Sequence, residues 1–391
     1  MATQLAPHLQ AEIDKFRATG RYRYLENNSA AQDVRIVIGG REYLNFCSND
    51  YLGLCNHEVL KEAAIEATKT YGVGAGAAQL LSGRHELHSQ LEIALADFTG
   101  YDAALLFSSG YLANIGLITA LVSRHDVVHQ DKLNHASLID AIKMSGAVSR
   151  RYAHLNLQQL EKGLTEHNER KQWIVTDSVF SMDGDIASLD GISELAYRHS
   201  AELIIDDAHG IGVLAAGRGA RAHFELPQER LPVAVVTFGK ALGTQGAAVL
   251  GSKSLVEYLV QVSRTYIFDT APPPLIAAAT LAAVNLIRED GEYVQRLNRN
   301  IKTFKNACEG AGIPPSGSET PIQPVVLGDD ITALRAAEYL REQGFYLRAV
   351  RPPTVPKNTA RLRICISAAH QDQDIERLVN HVAKFLQDER S

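Results

Sequence analysis

The chain has 391 residues, 46% of them apolar and 21% charged, with a formal net charge of −6. That length exceeds one ordinary core of ~100–200 residues and predicts two or three units, while the balanced composition excludes disorder, collagen and coiled coil. The acidic balance argues against a nucleic-acid partner, and no apolar run reaches the ~20 residues of a membrane span.

In chain order, a helix is expected over residues 9–18, followed by the basic, aromatic Arg21-Tyr22-Arg23-Tyr24, which reads as an arm. Two β-prone runs, 34–38 and 41–44, flank Gly39-Gly40 and predict a hairpin. Helical spacing returns at 58–69 and 87–98, separated by a Gly-rich break at 72–76. From residue 103 onward, strand-like runs (103–107, 126–129, 173–176, 203–205, 233–238) alternate with helices (113–122, 137–145, 192–199). This alternation predicts an α/β fold with a mostly parallel sheet covered by helices, whose ligands bind at the C-terminal strand ends. Pro272-Pro273-Pro274 marks a change of unit. Helices over 275–288 and 293–310 follow, then a smaller α+β region with strands near 324–327, 345–349 and 362–367. The expected division is an arm (1–45), a large domain (46–274), and a linker helix with a small C-terminal domain (275–391).

The N-terminus, MATQLAPHLQAEIDKF, carries no charged-then-apolar export pattern. Cys47, Cys55, Cys308 and Cys365 are scattered without a C-x-x-C, which argues against a disulfide framework or a zinc site and fits a reducing cytoplasm. Gly72-x-Gly74-x-x-Ala77 imitates a dinucleotide fingerprint, but a helix precedes it where a strand is required. Gly239-Lys240 imitates the end of a P-loop, yet Ala241 and Ala234 stand where the motif needs Ser/Thr and Gly.

Three strand ends carry more information. Phe107-Ser108-Ser109-Gly110-Tyr111-Leu112-Ala113-Asn114 passes from an apolar strand through small residues into a helix, whose free N–H groups and dipole suit a phosphate. An ordinary βα turn with a Ser cap has the same look. Leu203-Ile204-Ile205-Asp206-Asp207-Ala208-His209-Gly210 puts acids and a His at a second strand end, where a helix cap is the plainer alternative. Thr237 and Lys240 close a third, where burial would make Lys240 a neutral nucleophilic amine if it were not simply solvated. A phosphate cradle, a strand-end Asp and a strand-end Lys together are the parts that pyridoxal phosphate requires.

The chain resembles the α-oxoamine synthase family of fold-type-I pyridoxal-phosphate enzymes. The resemblance lies in Asn49-Asp50-Tyr51-Leu52-Gly53-Leu54, Ser82-Gly83, Ser109-Gly110-Tyr111, Asn134-His135-Ala136-Ser137, Phe180-Ser181-Met182-Asp183-Gly184-Asp185, Asp206-Asp207-Ala208-His209-Gly210, Thr237-Phe238-Gly239-Lys240 and Arg351-Pro352-Pro353-Thr354-Val355-Pro356. It spans nearly the whole chain, though Gly74-Ala75-Gly76-Ala77-Ala78-Gln79 lacks the Ser/Thr and Arg common in the family.

By this resemblance, Lys240 would bond pyridoxal 5'-phosphate, Asp206 would pair with its ring nitrogen, and His209 and Ser181 would lie near its ring hydroxyl. His135 would stack on the ring, and Gly110, Tyr111 and Thr237 would hold the phosphate. Thr270 would reach the phosphate of the other subunit in a homodimer with shared sites. Arg361 or Arg363, which share one face of a late strand, would bind the substrate carboxylate. Arg21 and Thr354 would contact the acyl substrate, with Asn49 near the reacting centre. The members matched best join L-alanine to a pimeloyl thioester, either pimeloyl-CoA or a pimeloyl-carrier-protein. Glycine acetyl transfer, another acyl condensation and a silent partner subunit are the alternatives.

Overall fold

The computed structural model describes residues 5–18 and 21–389. Its centre is a seven-stranded sheet in the spatial order Ala103–Phe107, Ala247–Gly251, Val233–Thr237, Glu202–Asp206, Gln172–Asp177, Val127–Asp131 and Val148–Tyr152. Only Ala247–Gly251 runs against the rest, pairing antiparallel with both its neighbours. The other adjacent pairs are parallel. This is the α/β, fold-type-I arrangement expected.

Buried parallel strands read as continuous apolar runs because both faces are covered. The pleat then divides each run between two cores. Leu203, Ile205, Ala234 and Val236 face one apolar cluster, and Ile204, Val233 and Val235 face the other. Ile204 is fully buried, so Ile204→Ala is expected to cost about 2–5 kcal/mol, read as a lower urea midpoint with an unchanged slope.

Two further sheets have three strands each. The predicted hairpin, Arg35–Ile38 with Arg41–Asn45, pairs in parallel with Phe345–Tyr346. The segment before residue 46 therefore shares a sheet with the C-terminal part of the chain. Ile322–Gly328, Ala360–Cys365 and Ala349–Val350 form the other sheet. The single strand expected over 345–349 is thus two short strands in different sheets. The chain turns between them, where Leu347 is buried and Arg348 reaches out to Glu26. Pro274 opens the long helix Pro274–Glu289 as an N-terminal proline can, since it has no N–H to satisfy. Among the described residues, no helix is long and apolar enough to cross a membrane.

Candidate active site

A cavity of about 290 Å³ opens at the C-terminal ends of the central strands. Most of its walls come from a strand terminus and the turn that follows it, while Gln245 and Gly246 come from the turn before Ala247–Gly251. On one side the helix Gly110–Leu121 starts, with Ser109 Oγ accepting from Leu112 N–H at 3.2 Å. A Cβ on Gly110 would sit 2.4 Å from Thr237 Cγ2, so glycine lets this helix start touch the neighbouring strand end. Ser109, Gly110, Tyr111 and Thr237 line the cavity between them.

Asp206 ends its strand inside the cavity. Its Oδ2 accepts from Asn114 Nδ2 at 2.7 Å and its Oδ1 from Ala208 N–H at 2.9 Å. Asn114 Nδ2 also donates to Ser137 Oγ at 2.8 Å, so the carboxylate is held in one orientation. Asp177 lies beside it in register on the next parallel strand and accepts from the His135 N–H at 2.7 Å. Burial, with the Asp206 carboxylate adding to it, holds the Asp177 carboxyl well above the usual range.

Asp207, adjacent in sequence, has a different task. It accepts from Ser178 Oγ at 2.6 Å and from Ala220 N–H at 2.8 Å, tying down the loop after the strand. Burial pushes its pKa up to about 7 against those two hydrogen bonds.

Three nitrogen bases share the cavity. Burial lowers the pKa of Lys240, with Asp206 and Asp177 opposing. Burial also lowers that of His135, where Asp206 opposes and Lys240 assists. His209 is driven well below its ordinary value by burial and then by Lys240, and its Nδ1 meets Tyr51 Oη at 2.8 Å. All three shifts favour the uncharged forms, which can accept protons or act as nucleophiles.

The cavity thus brings together Asn49, Gly110, Tyr111, His135, Asp206, His209, Thr237 and Lys240. Arg363 stands behind Asn49, donating to its Oδ1 at 3.1 Å and to the Ser181 carbonyl at 2.5 Å. Arg361 is on the same strand, but its guanidinium is bound by the Asp183 carboxylate. Ser181 meets Arg363 through its carbonyl and does not line the cavity. Thr270 is exposed and lies outside it, bridged to Ala78. Arg21 and Thr354 line a second, larger cavity of about 1110 Å³, together with Met182, Arg348 and Arg351.

Sequence reasoning missed Asn114, Asp177 and Tyr51. Asn114 had a signal, as the one amide in an apolar helix, and it is almost fully buried. Asp177 ends an apolar strand in the way Asp206 does.

The aminotransferase class I and II family profile matches residues 41–382. The chain belongs to that family. The likeness to the α-oxoamine synthase branch stands beside it. An 8-amino-7-oxononanoate synthase of Hahella chejuensis is 46% identical over 379 residues, covering 97% of this chain and 96% of that relative. Another, of Methylococcus capsulatus, is also 46% identical, covering 95% of this chain and 96% of the relative. Among solved members of the class I and II fold, serine palmitoyltransferase of Sphingomonas wittichii superposes with a TM-score of 0.92 at 27% identity. It covers 97% of this chain and 96% of its own. The 8-amino-7-oxononanoate synthase of Francisella tularensis superposes with a TM-score of 0.79 at 32% identity, covering 89% and 99%.

Proposed function

We propose that the chain condenses L-alanine with a pimeloyl thioester and releases carbon dioxide, the 8-amino-7-oxononanoate synthase reaction. The observation that carries this reading is the meeting of Lys240, Asp206 and His135 beneath a helix start, in a chain 46% identical to enzymes of that name.

The residues present fit pyridoxal phosphate. The start of the helix at Gly110 and Tyr111, with Thr237, suits its phosphate; the fixed Asp206 carboxylate suits a protonated ring nitrogen; and the His135 ring suits its face. Bound there, the cofactor supplies an electron sink for a carbanion at the amino acid α-carbon. Lys240 Nζ, made less basic by burial, holds the cofactor and takes up the α-proton. Asp206 keeps a proton on the ring nitrogen, and Asn114 keeps Asp206 aimed. His209, uncharged and steadied by Tyr51, lies near the ring hydroxyl, while Ser181, outside the cavity, acts through its carbonyl on Arg363.

Arg363 is the arginine assigned to the amino acid carboxylate, because Arg361 already has Asp183. Arg363→Lys, which loses the two-pronged fit to a carboxylate, is expected to raise the KM for L-alanine about tenfold or more. Arg361→Lys should leave that KM within about twofold. Steady-state kinetics with L-alanine varied decides between them.

Arg21 and Thr354 contact the acyl substrate in the larger cavity, whose volume suits a long thioester of coenzyme A or of a carrier protein. Two copies associate as a homodimer in the cytoplasm, with Thr270 of one protomer completing the phosphate site of the other.

The likeness to serine palmitoyltransferase favours a second reading, in which another amino acid and acyl chain are joined. Competition among L-alanine, glycine and L-serine, each with pimeloyl-CoA, tests this. The proposal expects product from L-alanine alone, and preferential use of glycine or serine overturns it.

A further inference from the structure

Beside the cavity lies a charged cluster that none of the roles above uses. Strand Val127–Asp131 ends in Asp131, His154 follows strand Val148–Tyr152, and Asp185 lies in the loop after Gln172–Asp177. His154 stands between the two carboxylates. Its Nδ1 is 3.0 Å from Asp131 Oδ1, and its Nε2 is 2.5 Å from Asp185 Oδ2. Each ring nitrogen meets an acceptor, so both donate when the ring is an imidazolium. Phe180 closes the cluster edge-on, with ring centroids 4.4 Å apart at 90°.

The two carboxylates depend on His154 unequally. Asp131 also accepts from the N–H groups of Leu133 and Leu155, each at 2.8 Å. Asp185 Oδ1 is buried with no hydrogen-bond partner among the described residues, so His154 is the one donor to its side chain. Asp185 in turn closes a tight turn. Its carbonyl accepts from Phe180 N–H at 3.0 Å, and the Phe180 carbonyl accepts from Gly184 N–H at 2.8 Å. That turn borders the larger cavity directly and reaches the smaller one through Arg363. Met182 lines the larger one, while the Ser181 carbonyl anchors Arg363 behind Asn49 of the smaller one.

We propose that His154 is a positioning residue: clamped between Asp131 and Asp185, it fixes the 180–185 turn so that the Ser181 carbonyl aims Arg363 at the amino acid carboxylate. The inference rests on the assignment of Arg363 made above. A neutral bridge could hold only one of the two carboxylates by donation, whereas the imidazolium holds both.

The pH dependence follows from the same contacts. Burial opposes a charge on the ring, but the hydrogen bonds to Asp131 and Asp185 outweigh it and raise the pKa to about 9. Tyr152 and Asp177 face Asp131 from their strand ends, and Asp183 lies in the turn itself. The folded value lies above the free value of about 6.5, so the clamp is complete below that pH. It is lost as pH rises through about 9.

The test titrates the cofactor-loaded enzyme with L-alanine alone, without thioester, reading the cofactor's visible absorbance to obtain a dissociation constant. The wild type, His154→Gln and Asp185→Asn are compared. Near neutral pH each variant should bind L-alanine about tenfold more weakly, while cofactor content stays equal and kcat at saturation changes less than about twofold. The ratio of variant to wild-type affinity should approach one above pH about 9, where the wild type loses its imidazolium. Equal affinity in both variants, a fall in kcat without a change in affinity, or a ratio insensitive to pH would overturn the proposal. If one variant is insoluble the other decides, and insolubility of both also overturns it by showing a purely structural role. A wild type that binds no L-alanine would instead overturn the proposed function, so the two failures are separable.

Discussion

Lys240→Ala should reduce turnover by at least about a thousandfold, the upper range for loss of a positioned proton-transfer group, the role proposed for this amine together with bonding the cofactor. Lys240 lies just past the end of a buried strand, where burial lowers its pKa while Asp206 and Asp177 oppose the change. Alanine removes the amine without disturbing the hydrogen bonds that Asp206 receives from Asn114 and Ala208. The pocket therefore keeps its shape and loses its base. Single-turnover measurements should show α-proton exchange of L-alanine falling in parallel with product formation. The cofactor, no longer covalently held, should leave on gel filtration. Retention of full proton exchange in this variant would assign the base elsewhere.

The second large effect belongs to Asp206. Asp206→Asn keeps the volume and can still accept from Asn114, but it carries no negative charge for the ring nitrogen proposed to pair with it. Turnover should fall by about 10²–10⁴-fold, the usual range for loss of such a group. Asp206→Glu should recover little of it, because the longer side chain cannot meet both Asn114 Nδ2 and the Ala208 N–H. An independent signature accompanies the loss. Asp177 is held above its ordinary pKa by burial and by the Asp206 carboxylate, so its pKa should drop in Asp206→Asn. Carboxyl titration by infrared spectroscopy reads that shift, and an unmoved Asp177 would show that the two acids are not coupled.

Much of this site was legible in the sequence, because buried parallel strands leave continuous apolar runs and place their next polar residues at the ligand end. Asp206 and Thr237 end strands of this kind, and Phe107 ends an apolar strand at the sheet's edge. Other features were hidden for identifiable reasons. Val148–Tyr152 is an edge strand whose Ser149, Arg150 and Arg151 are exposed, so it lacks an apolar run. Ala247–Gly251 is fully buried, but its two alanines and closing glycine leave only Val249 and Leu250 as an apolar signal, and its reversed direction depends on pairing alone. The choice between Arg361 and Arg363 depends on where Asp183 sits, 178 positions from Arg361 in the chain. The same holds for Asn114, which meets Asp206 across 92 positions, and for the His154 clamp, which joins the last residue of one strand to segments that follow two others. Periodicity reports what is local, whereas these contacts follow only from the order of strands in the sheet.

The central claim is a decarboxylative condensation, and its stoichiometry tests it most directly. The cofactor-loaded protein is mixed with carboxyl-labelled L-alanine and pimeloyl-CoA, and thiol, labelled carbon dioxide and product mass are followed together. The account predicts one carbon dioxide and one 8-amino-7-oxononanoate for each thiol released, with none of the three formed by Lys240→Ala. Thiol release without carbon dioxide, or equal rates in that variant, would contradict it.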